Sequence, residues 1–384
     1  MRVLLLNHNP VGYGTYWRVF YLAKHASELG LDITMVCASD EDLDTSIKKK
    51  QIAKNFEIIT LPRFKYGKYM SGQEIRLLLS IWQTLTFNYD IVHAFTVAQP
   101  QIGFPALLAK YLRGKRLIVD WDDAWHEGFA LYHRFPVRNI LSFSELYVPK
   151  HADMVTVSSE FLHNKAESIG VDPKRIVRIP NGCNSTEIVP LDKHECRKAL
   201  NLGRGPFLLS MGHTYADTMD SLLEAFKKVL RSNPATKLIL LSRIVLDDSL
   251  RKKIDELGSS VILPGEVPLD KFNLYLCAAD IFLLPMRDSN IEKARFPIRF
   301  GDYLCAGRPV VSNAVGEVKR IIEKDKCGIA CAVDDVEGMA DSVIKLLQSE
   351  AESAKMGMRG REIAEKDLLW QNIAKRLVDV YTNT

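Results

Sequence analysis

The segment from residue 285 to 311 holds the side chains best suited to bind a phosphorylated ligand. In its sequence, PMRDSNIEKARFPIRFGDYLCAGRPVV, Asp302 follows Arg299 by three residues and Arg295 precedes Arg299 by four. On a helix, the three-residue spacing lets both side chains face one ligand, where arginine suits phosphate oxygens and a carboxylate suits ribose hydroxyls. We therefore predict a nucleoside diphosphate site. The alternative, a solvated charged helix, fits Arg287 better than Arg299, which stands in apolar sequence.

Three carboxylates lie in the motif Asp120-Trp121-Asp122-Asp123, directly after a predicted strand. Carboxylates at the carboxyl end of a parallel strand lie where ligands bind. There they could hold a cation, accept hydrogen bonds from sugar hydroxyls or act as a base. We expect a functional role for Asp120 or Asp122, with Asp122 as the catalytic candidate. Asp123 is expected to cap the next helix, since aspartate is a favoured N-cap.

His93 is the second catalytic candidate, because it ends a predicted strand in the sequence DIVHAF. At that position it could orient the hydroxyls of a substrate. The alternative is a core histidine whose hydrogen bonds are satisfied inside the protein. The sequence favours neither reading.

The turn after the first predicted strand carries two glycines, Gly12 and Gly14, in the sequence HNPVGYGT. Glycines allow the backbone to approach a ligand, and the N-terminus of the following helix favours an anion such as phosphate. A dinucleotide-binding fingerprint would need a third glycine at position 17, which is Trp17. The turn therefore predicts a phosphate contact and argues against an NAD-dependent oxidoreductase. A tight turn without a ligand is the simpler alternative.

Alternating strand and helix patterns must position these residues. Short apolar runs predict strands over residues 3–6, 33–37, 58–61, 91–94, 117–119, 154–157, 207–211, 237–241, 261–263, 281–284, 310–312 and 329–331. Apolar residues at helical spacing predict helices over residues 19–29, 73–87, 101–112, 219–230, 246–257, 269–278, 299–306, 336–348 and 368–381. This alternation is typical of an α/β fold, in which helices cover both faces of a parallel sheet. We predict two doubly wound, Rossmann-like domains that face each other across a cleft.

A segment without periodicity, residues 179–194, separates the two series of elements and contains proline and glycine. It is predicted to be the linker between domains. We therefore expect an N-terminal domain over residues 1–185, a C-terminal domain over residues 186–366 and a terminal helix within 367–384. A chain of 384 residues suits two or three domains.

The charge, hydrophobicity and cysteine content of the chain argue against several classes of protein. There are 51 Lys and Arg against 47 Asp and Glu, a net charge of +4 that is too small to indicate nucleic-acid binding. The chain has no apolar run of about 18 residues, so we expect no transmembrane helix, and its N-terminus lacks the features of a signal peptide. Seven scattered cysteines argue against a zinc site or a disulfide framework and favour a reducing, cytoplasmic location.

Residues 48–76 combine eight Lys or Arg with two Glu and several aromatic side chains. A basic, aromatic stretch predicts peripheral contact with an anionic membrane, because cations are attracted to anionic lipid. Such a contact would suit a lipid-linked acceptor on the inner membrane face. The alternative is a solvated loop and helix face.

Four segments resemble GT-B-type glycosyltransferases of the large retaining family four, the glycosyl transferases group 1. They are YDIVHAF, VSSEFLHNKAESIGVDPKRIVRIPNGCN, GEVPLDKFNLYLCAADIFLLPMRDS and RFPIRFGDYLCAGRPVVSNAVGEVKRII. They occur in the order and spacing of the family, and the resemblance extends over nearly the whole chain. It implies an acceptor domain followed by a nucleotide-sugar domain, and a terminal helix that crosses back to the N-terminal domain. It also implies retention of anomeric configuration and no metal or other cofactor.

The resemblance also implies roles by position. Gly12 and Gly14 would lie near the donor phosphates, Arg299 would contact the diphosphate, and Asp302 would contact the ribose. Asp122 stands at about the position of a histidine that is common in the family.

Two positions depart from the family's donor site. The first acid of its E-x7-E motif falls on Ala294, where Glu292 or backbone amides could substitute, and a clamp lysine falls near Asp217. We expect Arg243, at the end of the next predicted strand, or Arg295 to supply the missing charge.

The leading function is therefore transfer of a sugar from a nucleotide-sugar donor to an acceptor hydroxyl, in glycan or glycolipid biosynthesis. In that reaction the leaving phosphate would take the acceptor proton, while Asp122 and His93 orient hydroxyls. One alternative is a metal-dependent transferase that uses DWDD as a D-x-D cation site, although that motif belongs with the single-domain GT-A fold. Another is a non-catalytic GT-B homologue that binds nucleotide or acts as a scaffold.

Overall fold

In a computed structural model the chain forms two compact units, each organised around its own parallel sheet. Unit 1 comprises Met1–Asn181, Ser289–Phe296 and Trp370–Thr384, and unit 2 comprises Gly182–Asp288 and Pro297–Leu369. The residues that the structure describes are 1–41, 43–66, 69–212, 216–241 and 247–383.

The elements alternate between strand and helix along the chain. Up to Asn181 they are β1 (Arg2–Pro10), α1 (Tyr16–Glu28), β2 (Asp32–Ala38), β3 (Lys48–Ala53), β4 (Phe56–Leu61), β5 (Phe64–Tyr66), β6 (Tyr69–Ser71), α2 (Gln73–Thr86), β7 (Ile91–Phe95), α3 (Pro100–Arg113), β8 (Arg116–Trp121), α4 (Val137–Tyr147), β9 (Met154–Val157), α5 (Glu160–Ser168) and β10 (Ile176–Arg178). The later elements are α6 (Lys193–Ala199), β11 (Phe207–Met211), α7 (Ala216–Ser232), β12 (Lys237–Leu241), α8 (Asp248–Leu257), β13 (Val261–Gly265), α9 (Leu269–Ala278), β14 (Ile281–Leu284), α10 (Asn290–Ala294), α11 (Ile298–Ala306), β15 (Val310–Ser312), α12 (Gly316–Asp325), β16 (Gly328–Ala330), α13 (Val336–Gln348), α14 (Glu350–Asp367) and α15 (Trp370–Thr382). Within the described ranges, none of these helices is long and apolar enough to cross a bilayer.

The main sheet of unit 1 has the strand order β10-β9-β8-β7-β1-β2-β4-β3. Its strands run parallel except at the edge, where β3 pairs antiparallel with β4. Every residue of β7 is buried, as expected for a strand covered on both faces. The strand order reverses beside β1, so the carboxyl ends of β1 and β7 form the crevice where doubly wound sheets bind ligands.

The sheet of unit 2 has the order β13-β12-β11-β14-β15-β16, and all its strands are parallel. Strand β11 is buried along its whole length. Here the strand order reverses between β11 and β14. The carboxyl ends of these two strands therefore mark the expected ligand-binding edge of unit 2.

The structure assigns Ser289–Phe296 to unit 1, whereas the sequence analysis placed these residues inside a domain spanning 186–366. The reason is packing: Ala294 at the end of α10 is fully buried in the same apolar cluster as Trp121 and Leu162. The chain also leaves unit 1 after Asn181 and returns at Trp370, a few residues from the predicted boundaries at 185 and 366.

The basic stretch at 48–76, for which membrane contact stays a prediction, combines exposed and buried side chains in its described part. Lys48 belongs to the edge strand β3 and forms ion pairs with Glu41 and Asp44, while Phe56 is fully buried. Lysines on an edge strand also discourage pairing with other chains. The side chains of residues 65–71 lie outside the described residues.

A buried ion pair joins the first helix to the sheet of unit 1. Arg18 of α1 donates from Nε and Nη2 to the two carboxylate oxygens of Asp120 in β8, each at 2.8 Å, and both side chains are wholly buried. Its other donors reach Asn181 Oδ1 at 3.0 Å and the Ile179 carbonyl at 2.6 Å, and the Thr156 hydroxyl donates to Asp120 at 2.6 Å. Because these hydrogen bonds satisfy both charged groups, the pair can remain in the core.

Replacing Arg18 by Met should cost about 3–5 kcal/mol of unfolding free energy, because Asp120 would remain buried without its countercharge. All five tryptophans lie in unit 1, so their fluorescence during urea unfolding reports on this unit. Arg2→Gln is the matched control, since its ion pair with Asp90 is about half exposed and should change the free energy by less than about 1 kcal/mol. Equal, small losses in both variants would contradict this account of the pair.

Candidate functional site

In the part of the chain that the structure describes, several buried polar atoms at the carboxyl edge of the unit 1 sheet have no hydrogen-bond partner. They belong to residues near the end of β1 and to the loop after β8: Asn7, His8, Asn9, Asp122, Trp125 and His126. The two groups are in contact, since the rings of His8 and Trp125 lie 5.9 Å apart. Buried polar groups are normally hydrogen-bonded, so this edge suits a polar ligand. It is the edge at which the sequence analysis expected a site.

Asp122 is the titratable group at the centre of this edge. Its Oδ2 accepts a hydrogen bond of 2.9 Å from the Thr15 hydroxyl, and its Oδ1 has no hydrogen-bond partner among the described residues. Burial, together with repulsion from Asp123 and Asp120, raises the pKa of Asp122 to about 7. A carboxyl group with that pKa can gain or lose a proton near neutral pH.

The other two carboxylates of the DWDD motif are held by arginines. Asp120 is bound to Arg18, and Asp123 Oδ1 accepts a hydrogen bond of 2.7 Å from Arg295 Nε. Asp123 thus forms an ion pair rather than the predicted helix cap. In the described parts of the chain, no group of three or more His, Cys, Asp or Glu side chains is arranged to hold a metal ion.

Arg295, one of the predicted donor contacts, forms an ion pair with Asp123, and its contact with a donor stays a prediction. It lies in unit 1, where its guanidinium also packs over the ring of Phe129 at 4.9 Å. The ion pair with Asp123 holds Arg295 in this position. Because the two residues are 172 positions apart, local sequence spacing could not predict this ion pair. The structure therefore makes Arg295 part of the support around Asp122.

His93 is a core residue, so the alternative of a satisfied buried histidine is the one observed. Its side chain is wholly buried in β7, with Nδ1 at 2.7 Å from the Tyr381 hydroxyl and Nε2 at 3.4 Å from Thr156 Oγ1. Burial lowers the pKa of His93 to about 4, so the ring is neutral at physiological pH. Its hydrogen bond with Tyr381 joins β7 to α15.

Glu145 of α4 fixes the loop that carries Asp122, a role that the sequence analysis missed. Its carboxylate accepts hydrogen bonds of 2.8 Å from Trp121 Nε1 and from the Trp125 amide, and a further one from the His126 amide. The pKa of Glu145 is raised to about 7, mainly by burial. The one feature of the sequence that could have indicated this role is that Glu145 is the single acid in the largely apolar helix α4.

Gly12 and Gly14 form a tight turn before α1. Their φ angles are +82° and +54°, and a Cβ on Gly14 would lie 2.6 Å from Asn9 Nδ2. Trp17 Nε1 donates a hydrogen bond of 2.8 Å to the Gly12 carbonyl. Backbone geometry thus accounts for both glycines, and their contact with donor phosphates stays a prediction.

Arg299 marks the ligand-binding edge of unit 2. It stands at the second residue of α11, and its Nη1 donates a hydrogen bond of 2.8 Å to the Met211 carbonyl at the end of β11. One turn further along, the Tyr303 hydroxyl accepts a hydrogen bond of 2.8 Å from the Met211 amide, and its ring stacks on Phe282 at 4.1 Å. These contacts fix α11 at the point where the strand order reverses.

A cavity of about 250 Å³ opens beside Arg299, at the carboxyl ends of β11, β12 and β13. Its walls are mostly apolar, and its lining includes Met211, Gly212, Leu241, Gly265, Phe272 and Arg299. Glu266 also lines the cavity, so its charged groups are one arginine and one glutamate. A mostly apolar pocket with a few charged groups is typical of a small-molecule site.

Asp302 lies one turn after Arg299 on α11, as predicted. Within the described residues, its half-buried carboxylate accepts no hydrogen bond from the protein. Burial and the nearby Glu187 raise the pKa of Asp302 to about 7. Arg243, the other predicted donor contact, lies outside the described residues.

Comparison with known proteins gives matches over most of the chain. Residues 12–182 match a family model described as a glycosyl transferase 4-like domain, and residues 205–349 match one described as glycosyl transferases group 1. A GDP-mannose-dependent monoacylated alpha-(1-6)-phosphatidylinositol monomannoside mannosyltransferase of Corynebacterium glutamicum is 22% identical over 235 residues, which are 59% of this chain. The match spans 61% of the length of that relative.

Two solved structures resemble the whole chain. Sucrose-phosphate synthase from Thermosynechococcus elongatus has a TM-score of 0.78 at 18% identity, and the match covers 100% of this chain and 98% of that one. HepE of Anabaena, solved in complex with UDP and glucose, has a TM-score of 0.74 at 13% identity, with 100% of both chains covered. At such low identity the likeness concerns the fold, and it confirms the predicted α/β architecture with two parallel-sheet domains.

The raised pKa of Asp122 predicts how the stability of unit 1 depends on pH. The folded state keeps a proton on Asp122 up to about pH 7, whereas the unfolded chain releases it near its ordinary pKa of about 4, so this group's contribution to stability falls as the pH rises between these values. Asp122→Asn removes that contribution. Thermal unfolding followed by tryptophan fluorescence should therefore show the variant gaining stability relative to wild type from about pH 5 to about pH 7.

Asp32→Asn, at an exposed carboxylate of the same sheet, is the control and should keep a constant difference from wild type. A constant difference for Asp122→Asn as well would mean that Asp122 does not titrate in this range.

Proposed function

The chain belongs to the group 1 glycosyltransferases of the GT-B type, and we propose that it transfers a sugar from a nucleotide-sugar donor to an acceptor hydroxyl with retention of anomeric configuration. The acceptor would be a glycan or a lipid-linked sugar, as in glycan or glycolipid biosynthesis. The observation that carries this proposal is Arg299, whose guanidinium is held at the carboxyl end of β11 beside a small apolar cavity.

Donor binding is proposed at the N-terminal end of α11 in unit 2. The first turn of a helix attracts anions through its free amides and its dipole, and Arg299 adds a full positive charge there. As the bond to the sugar breaks, negative charge develops on the leaving diphosphate, and a fixed cation stabilises it without reorganisation. Asp302 would accept hydrogen bonds from the ribose hydroxyls.

Acceptor binding is proposed at the polar edge of unit 1. The unpartnered atoms of Asn7 and His8 would form hydrogen bonds with sugar hydroxyls, and the unpartnered oxygen of Asp122 would orient the hydroxyl that reacts. The leaving phosphate would take the proton of that hydroxyl. His93 has no part in this proposal, because its ring is enclosed by the core.

The nucleotide base of the donor has to be identified by experiment. The similar mannosyltransferase is GDP-mannose-dependent, whereas the similar structure of HepE holds UDP and glucose. Both UDP and GDP should therefore be tried first by thermal shift, since a ligand that binds only the native state raises the melting temperature.

Arg299→Ala should weaken binding of the nucleoside diphosphate by about tenfold to a hundredfold, because a charged hydrogen bond is worth about 1.5–3 kcal/mol. Binding of the nucleoside alone should change little. Asp302→Asn should weaken nucleoside and diphosphate alike, because the ribose is common to both. Calorimetric titration of both variants with nucleoside, monophosphate and diphosphate measures these differences.

Arg251→Met, at an exposed arginine of α8 in the same unit, is the control and should match wild type. An unchanged preference for diphosphate over nucleoside in Arg299→Ala would overturn the assignment of Arg299. A chain that binds nucleotide but turns over no nucleotide sugar would support the non-catalytic alternative.

We expect sugar transfer without a metal ion, because the three carboxylates of the DWDD motif are bonded to Arg18, Thr15 and Arg295. Activity should therefore survive an excess of chelator. Loss of activity on chelation, with recovery on adding manganese or magnesium, would instead favour a D-x-D cation site.

A further inference from the structure

Helix α2 presents its polar side to the protein and its apolar side to solvent. Its buried residues are Arg76, Ser80, Gln83 and Thr84. Its exposed residues include the α2 row, defined as Ile75, Leu78, Trp82 and Leu85. A surface helix normally turns its apolar stripe inward, so an outward row indicates a surface that another apolar phase covers.

A second exposed apolar surface lies on and before α4. Residues 131–140 are all exposed. The α4 patch is defined as Tyr132, Phe135, Val137, Ile140, Phe143 and Tyr147, among which Phe135 is 82% exposed and Phe143 is 56% exposed. Scattered apolar side chains are common on soluble proteins, but a contiguous group of this kind marks an interaction site.

Helix α3 connects the α2 row with the α4 patch. It packs against both α2 and α4. Aromatic rings run from Phe143 to Tyr147 at 5.0 Å, on to His151 at 4.1 Å and then to Tyr111 of α3 at 6.3 Å. The two apolar surfaces therefore belong to one side of unit 1.

The α4 patch carries exposed positive charges. Arg134, Arg138 and Lys150 lie in and beside it, and none of them forms an ion pair within the described part of the chain. The acid within α4 is Glu145, which is buried and bonded to the loop after β8. The patch thus presents cations and apolar groups together, without an exposed carboxylate of its own helix.

We propose that the α2 row and the α4 patch dock on an anionic lipid bilayer. Aromatic and aliphatic side chains that enter the boundary between headgroups and acyl chains, with arginine and lysine beside them, are typical of interfacial binding. The cations favour anionic headgroups, because each one near the membrane surface adds a favourable electrostatic contribution to the binding free energy. This membrane contact is a property in addition to sugar transfer. It also differs from the contact predicted for residues 48–76, which includes only the first residues of α2 and none of α4.

Vesicle flotation of the full chain tests the proposal, with phosphatidylcholine vesicles that contain or lack phosphatidylglycerol. Wild type should float with the anionic vesicles and much less with the neutral ones. Phe135→Ser/Phe143→Ser and Leu78→Ser/Trp82→Ser should each weaken binding by about tenfold or more, because each pair removes apolar groups that the lipid would bury. Arg134→Gln/Arg138→Gln should weaken binding to anionic vesicles by about fivefold for each cation removed.

Met358→Ser is the matched control, because Met358 is 64% exposed on α14 of unit 2. It should bind as wild type does, and all variants should keep the wild-type melting temperature. Absence of flotation in wild type, or binding that survives either serine pair, would overturn the proposal. So would a dimer in sedimentation equilibrium that the serine pairs dissociate, since a second copy would then cover this surface.

Discussion

The ion pair between Arg18 and Asp120 is the constraint on which the rest of unit 1 depends. It joins α1 to β8, and through Ile179 and Asn181 it also holds the point where the chain leaves unit 1. The amide of Asn181 in turn donates a hydrogen bond of 2.6 Å to the Phe296 carbonyl, at the end of the segment that returns from unit 2. A buried charge pair tolerates no missing partner, so these chain segments are positioned together.

This pair also decides which carboxylate can act on a ligand. With Asp120 neutralised by Arg18 and Asp123 by Arg295, Asp122 is the member of the motif that keeps an unpartnered oxygen and a pKa near neutrality. In unit 2, Asp302 has a similarly raised pKa and accepts no hydrogen bond from the described residues. The surrounding residues, rather than the residue type, thus decide which carboxylates are paired inside the protein and which can bind a ligand.

Much of the fold could be predicted from the sequence, because strands buried on both faces of a parallel sheet appear as short apolar runs. Strand β3, with its row of lysines, and the short helix α10 carry no such signal, and both were missed. Within the site, the spacing of Arg299 and Asp302 on one helix was visible. The ion pair of Arg295 with Asp123 could not be predicted, because the two residues lie far apart in sequence. The burial of His93 in the core could not be predicted from its position in the sequence either.

Amide hydrogen exchange with and without UDP or GDP tests most directly where the donor binds. We expect slower exchange at the first turn of α11 and at Gly212, with little change on the outer helices of unit 2. Unit 2 also has a cavity of about 620 Å³ near the amino ends of β11, β14 and β15, lined in part by Lys193, Arg197 and Arg308. Protection confined to that cavity, with none at α11, would show that the donor does not bind beside Arg299.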